Sequence, residues 1–200
     1  MAPYLVGITG GIGSGKSTLS SIFYHLGYKI YNSDDRAKHL MNFNEKIKKD
    51  LIDSFGERVY DKNGLNKKYL SKTIFNDTEA LRKINSIVHP EVINDFKVWV
   101  KENQNEKILF KEAAILFENG TAQSCDAIIL ITAPEEVRIQ RVLKRDETSV
   151  AAIKDRINKQ WPDAKKIPLA DFLIENIDLE ESKKQARKIH LQLLGDRVNT

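Results

Sequence analysis

One stretch near the start of the chain, Gly10-Gly11-Ile12-Gly13-Ser14-Gly15-Lys16-Ser17, spells G-x-x-x-x-G-K-S between the apolar run Leu5-Val6-Gly7-Ile8 and a helical pattern that opens at Lys16. No other feature constrains the fold as much. A strand must run into a tight glycine turn whose backbone N–H groups converge, and a helix must begin there with its positive end facing the same point. Such a turn cradles phosphates, so the pattern implies that Gly11, Ile12, Gly13, Ser14, Gly15 and Thr18 surround the phosphates of ATP or GTP. Lys16 would reach the transferred group. The Ser17 hydroxyl suits Mg²⁺, which keeps most of its waters, takes further oxygens from phosphate and needs few from the protein.

The rest of the chain supports a layered α/β core. Short apolar runs recur at Tyr4–Thr9, Tyr28–Tyr31, Lys107–Phe110, Asp126–Thr132 and Asp171–Ile174, each reading as a buried strand of a five-stranded parallel sheet. Helical patterns fill the gaps at Lys16–Leu26, Pro134–Lys144 and Leu179–Leu194. In such a sheet ligands bind outside the carboxyl ends of the strands, where the glycine turn falls. Two stretches break the rhythm. Between Asp35 and Asn103 the apolar residues keep helical spacing, as in Ile47, Leu51 and Phe55, and no internal strand is expected. From Arg141 to Lys166 basic residues dominate, which suggests a basic flap.

Composition narrows the class. The 200 residues, 41% hydrophobic, suffice for one substantial core. No apolar stretch approaches the about 20 residues of a membrane span, and Met1–Gly10 lacks the pattern of a secretory signal, so a cytoplasmic protein with no membrane partner is expected. The single cysteine, Cys125, fits a reducing compartment. A net charge of +4, from 32 basic and 28 acidic residues spread along the chain, favours an anionic small molecule over nucleic acid, since no basic face interleaved with aromatics stands out.

Phosphate loops serve GTPases, ATPases and small-molecule kinases alike. A guanine-reading Asn-Lys-x-Asp is missing: Asn66-Lys67-Lys68-Tyr69 and Asn158-Lys159-Gln160-Trp161 both lack the Asp. The D-x-x-G matches at Asp53–Gly56 and Asp61–Gly64 follow no strand leading to the phosphates. Asp34, just past the second strand, is placed to accept the proton of an acceptor hydroxyl, or simply to cap the following helix together with Ser33 and Asp35. Arg141 and Arg145 share a helix face, either as guanidinium groups facing developing phosphoryl charge or as a solvated surface. Arg138 lies on an adjacent face and is the weaker choice. Glu112 and Glu118 are alternative acids for Mg²⁺ or its waters, and His89, before Pro90, is structural or catalytic.

These pieces together resemble the dephospho-coenzyme A kinase family. The match runs from Ile8-Thr9 and the phosphate loop through Leu26-Gly27, Asp34, Ala37, Phe55-Gly56, Asp61–Leu65, Ile74-Phe75, His89-Pro90, Leu116-Phe117-Glu118, Arg141, Arg145-Asp146, Arg156, Gln160, Ala170-Asp171 and Asn176. The resemblance implies a three-part kinase with a P-loop NTPase-type core formed by residues 1–34, 104–140 and 167–200. It further implies a helical domain for the coenzyme A precursor at 35–103 and a lid at 141–166; a monomer or weak homo-oligomer is expected. It implies transfer of the ATP γ-phosphoryl group, with Mg²⁺, to the ribose 3′-hydroxyl of dephospho-coenzyme A. Asp34 would then be the base, Arg145 a lid contact to ATP assisted by Arg141, His89 and Glu118 acceptor-side residues, Glu112 a metal ligand, and Asn176 part of the adenine wall. Two departures stand out: Asn32-Ser33-Asp34 replaces the usual Asp-Ala-Asp, and Glu112-Ala113-Ala114 replaces Asp-x-Pro.

Overall fold

The computed structural model describes residues 2–74 and 77–198; of the matched positions, Phe75 lies outside them. In chain order the elements begin with β1 (Tyr4–Thr9), α1 (Lys16–His25) and β2 (Lys29–Asn32). A mainly helical stretch follows: α2 (Ser33–Phe43), α3 (Glu45–Phe55), β3 (Tyr60–Asp61), β4 (Gly64–Leu65), α4 (Lys67–Ile74) and α5 (Thr78–Glu102). The chain then returns through β5 (Ile108–Glu112), β6 (Ala127–Thr132), α6 (Glu135–Arg145), α7 (Val150–Asn158), α8 (Asp163–Lys166), β7 (Phe172–Glu175) and α9 (Leu179–Val198). Two compact units result, residues 1–32 with 103–200 and residues 33–102.

The first unit is built on a parallel five-stranded sheet in the order β2-β5-β1-β6-β7. Central strands β5 and β6 are buried along their whole length, as continuous apolar runs covered on both faces must be. On one face Val6, Ile8, Phe110, Ile129 and Ile131 meet Leu19 and Phe23 of α1 and Ala186, Ile189 and Leu193 of α9, with Phe23 and Phe110 stacked at 4.6 Å between ring centroids. A separate cluster forms around Ala113, Leu116, Phe117 and Ile128, against which Trp161 and Ala170 pack. Four expected strands shift by a residue or two: Asp126–Thr132 begins at Ala127 and Asp171–Ile174 becomes Phe172–Glu175. Tyr28–Tyr31 becomes Lys29–Asn32, and Lys107–Phe110 becomes Ile108–Glu112, because Lys111 and Glu112 continue the ladder although charged, at 6% and 5% exposure.

Register places the carboxyl ends together. Ile8 pairs with Glu112, Asn32 with Glu112, Thr9 with Leu130, and Thr132 with Glu175. The glycine turn after β1, the end of β5 and the residues after β7 therefore share one edge. The matched Asp171 serves the opposite end, its carboxylate accepting the N–H of Ile128 at 2.7 Å where β6 begins.

The second unit has its own core of Leu40, Ile47, Leu51, Val59, Leu70, Ile84 and Val88. Asn44 caps α3 by accepting from the Ile47 N–H, and Ile47 and Leu51, one turn apart, face inward. The expectation of no strand here needs correction: β3 and β4 form a two-residue hairpin pair, Tyr60 opposite Leu65 and Asp61 opposite Gly64. Strands this short show no alternation to read. Both D-x-x-G matches are thereby explained as chain turns. Asp61 accepts the N–H of Asn63 within the hairpin loop, and Gly56 ends α3 with a φ of 82°. Among the described residues no helix is long and apolar enough to cross a membrane.

Candidate active site

Glycine chemistry sets the shape of the phosphate loop. Gly15, the cap of α1, has φ 93°, and Gly13 has φ 76°, both in the left-handed region that side chains resist. Space forbids a side chain as well: a Cβ on Gly13 would press on the Arg138 backbone, 2.9 Å from its Cα, and one on Gly15 would strike the Asn176 amide. Lys16 folds over the loop, its ammonium donating to the carbonyls of Gly10 at 2.8 Å and Gly11 at 3.3 Å.

Groups outside the loop orient its peptides. Asn176, buried just past β7, donates to the Ser14 carbonyl at 2.7 Å and accepts from the Ser182 hydroxyl at 3.1 Å. Because a trans peptide is planar, holding the Ser14 carbonyl toward Asn176 aims the Gly15 N–H the opposite way. Arg141 approaches the same carbonyl at 3.5 Å and that of Ile177 at 3.4 Å, both long contacts.

The loop, α6 and the start of α9 enclose a cavity of about 340 Å³ lined by Gly13, Gly15, Lys16, Ser17, Thr18, Arg141, Arg145, Asn176 and Leu179. The expected pairing of Arg141 and Arg145 on one helix face thus puts both on the cavity wall with the loop. Arg145 is exposed and forks onto the Asp146 carboxylate at 2.7 and 2.9 Å, and this hydrogen bonding holds the Asp146 carboxyl below the usual range. Arg156, 4.0 Å from the same carboxylate, completes a charged patch at the end of α6.

Ser17 and Glu112 meet at the sheet edge, the hydroxyl donating to the carboxylate at 3.0 Å. Both are hard oxygen ligands, a donor set that fits Mg²⁺. Among the described residues no group of three or more His, Cys, Asp and Glu is clustered for a metal. Two protein oxygens suit an ion that draws its remaining ligands from phosphate and water. Asn32, the departure from the usual aspartate, is registered beside Glu112.

The other expected residues have distinct surroundings. Glu118 is engaged away from the cavity wall: it accepts the Trp161 N–H at 3.0 Å and lies 3.1 Å from the ammonium of Lys166, which is fully buried. Within the second unit Asp34 is exposed in the first turn of α2, where its charge also favours the helix N-terminus. Arg36, half a turn on, forks onto Asp95 of α5 and fixes the orientation of α2 within its unit. His89 is half-buried in α5, and burial lowers its pKa and favours the neutral ring.

Arg138 was undervalued by sequence reasoning. It is 7% exposed, donates through Nε to the Ile12 carbonyl at 2.9 Å and lies 3.6 Å from Asp163. Gln160 accepts the Ile12 N–H at 2.8 Å. The only early signal for either was the R-x-x-R-x-x-x-R run of α6 and the matched position of Gln160.

A sequence model of the family described as "Dephospho-CoA kinase" matches residues 4–181. The chain is 34% identical over 190 residues to a protein of Fusobacterium nucleatum named "Dephospho-CoA kinase", covering 94% of this chain and 97% of the relative. Among solved structures, TT1252 from Thermus thermophilus aligns with a TM-score of 0.86 at 29% identity, covering 97% of this chain and 99% of that one. The dephospho-CoA kinase from Campylobacter jejuni aligns at 0.68 with 25% identity over 94% and 96%.

Proposed function

The chain belongs to the dephospho-CoA kinase family, whose reaction is the ATP-dependent phosphorylation of dephospho-CoA to CoA, and we propose how its residues divide that work. The nucleotide phosphates lie in the cavity around Gly11 to Thr18, with Lys16 drawn from the loop carbonyls toward the transferred group. Arg141 and Arg145 meet the negative charge that gathers on the phosphoryl oxygens as it transfers. Asn176 stands at the adenine side and steadies the loop. The observation that carries this reading is the shared wall: loop, arginine pair and Asn176 line one cavity of nucleotide-phosphate character.

Ser17 and Glu112 would hold Mg²⁺. Magnesium would neutralise phosphate charge there. Asn32 cannot supply a carboxylate, so of the two registered positions only Glu112 brings a charge.

Asp34 takes the proton of the ribose hydroxyl. Support comes from the family match at this position and from its place two residues beyond the carboxyl end of β2. Residues 33–102 hold the acceptor, with His89 among its contacts, and residues 141–166 act as the lid. Glu118, paired with Lys166 and the Trp161 N–H, is assigned to the acceptor side on the family resemblance alone. We read the protein as cytoplasmic, from its lone cysteine and composition.

The metal assignment has a direct test. Ser17→Ala should raise the free Mg²⁺ concentration for half-maximal activity about tenfold, the scale of losing one ordered partner at a metal site. Turnover at saturating Mg²⁺ should recover to within a few fold. An unchanged Mg²⁺ dependence would remove Ser17 from the metal shell.

A further inference from the structure

Ile12 sits at the apex of the phosphate loop and carries no reactive group, yet both of its backbone polar groups are held by side chains from distant parts of the chain. Its N–H donates to Gln160 at 2.8 Å and its carbonyl accepts from Arg138 at 2.9 Å. Its side chain packs against Ile139 and Val142 of α6 and Ile153 of α7. Gln160 and Arg138 are themselves anchored. The next residue, Trp161, donates its N–H to Glu118, Lys165 stacks over its ring at 3.3 Å, and Asp163 lies 3.6 Å from Arg138. Residues 160–166 thus form a strap tied to the loop after β5 on one side and to the phosphate loop on the other.

Peptide planarity gives these two bonds a consequence. Holding the Ile12 N–H toward Gln160 turns the Gly11 carbonyl the other way, where it accepts from Lys16 at 3.3 Å. Holding the Ile12 carbonyl toward Arg138 turns the Gly13 N–H away from that guanidinium, and Gly13 lines the cavity. Glycine at position 13 has wide conformational freedom, so these two side chains add to the turn bond inside the loop, from the Ser14 N–H to the Gly11 carbonyl at 3.1 Å, in setting the direction of its N–H.

We propose that Gln160 and Arg138 are positioning residues that preset the loop for phosphate by fixing the two peptides that flank Ile12, Arg138 leaving the Gly13 N–H free to face the cavity and Gln160 turning the Gly11 carbonyl toward Lys16. The strap that closes the lid segment is thereby part of the nucleotide site although it touches no nucleotide. This rests on the reading of the cavity as the phosphate site.

Gln160 is half-buried and suits substitution. Gln160→Leu keeps the bulk and removes the oxygen that accepts the Ile12 N–H. Its expected effects are a roughly tenfold weaker Kd for MgADP, the scale of one lost hydrogen bond in a preorganised site, and faster hydrogen exchange at the Ile12 amide. KM for dephospho-CoA and kcat at saturating ATP should stay within about twofold. Should the leucine variant lower the melting point too far to measure, Gln160→Ala adds no bulk and carries the same comparison. An unchanged Kd for MgADP, an Ile12 amide still protected, or an equal loss on both substrates would overturn the proposal. Binding of MgADP needs no acceptor, so a fault in the kinase assignments shows instead as the parent protein failing to phosphorylate dephospho-CoA.

Discussion

Asp34→Asn should lower kcat by about 10² or more while leaving the Kd for ATP within a few fold. A carboxylate that receives the hydroxyl proton as the phosphoryl group arrives contributes on this scale, and an amide of the same shape has no comparable basicity. A hundredfold loss corresponds to about 2.7 kcal/mol of transition-state stabilisation. Folding should barely change. Asp34 is exposed in the first turn of α2, so the asparagine loses only a helix-terminus charge, about 0.3–1 kcal/mol, and retains a side chain suited to that turn. Steady-state kinetics beside ATP titration separates the two effects: kcat and kcat/KM for dephospho-CoA should fall together, the signature of an interaction made in the transition state. A turnover within threefold of the parent would take the base role from Asp34.

Lys16→Met should cost more, about 10³ in kcat/KM for ATP. The ammonium is proposed to stabilise charge on the transferring group, where removing one preorganised donor costs about 10²–10³. It also bridges the carbonyls of Gly10 and Gly11, so its loss leaves two loop peptides less constrained. Methionine keeps most of the stem and thereby isolates the charge. A loss below tenfold would mean that the backbone N–H groups and arginines carry the phosphates without it.

Much of this was legible along the chain because it rests on local periodicity. The G-x-x-x-x-G-K-S pattern fixes a strand, a turn and a helix start within one short segment. The apolar runs located all five strands of the main sheet, and the spacing of Arg141 and Arg145 put them on the shared face that lines the cavity. Boundaries failed where tertiary packing outweighs polarity: β5 continues through Lys111 and Glu112 because sheet pairing and burial hold them there. The hairpin of β3 and β4 escaped because two-residue strands carry no period. What stayed hidden was long-range. Nothing near Glu118 announces Lys166, and nothing near Ile12 announces Arg138 or Gln160, each more than a hundred residues away from the loop. A buried arginine on an amphipathic helix looks, in sequence, like one more surface charge.

The central claim is that the loop cavity supplies a phosphoryl group which leaves for a ribose hydroxyl of dephospho-CoA. Phosphorus NMR of the products formed from MgATP and dephospho-CoA tests it without substitution. The account predicts one ADP for each CoA formed, with the new phosphate on the ribose 3′-oxygen and no signal for free phosphate beyond background. ADP and inorganic phosphate accumulating with dephospho-CoA unchanged, or a phosphate placed elsewhere on the acceptor, would contradict it.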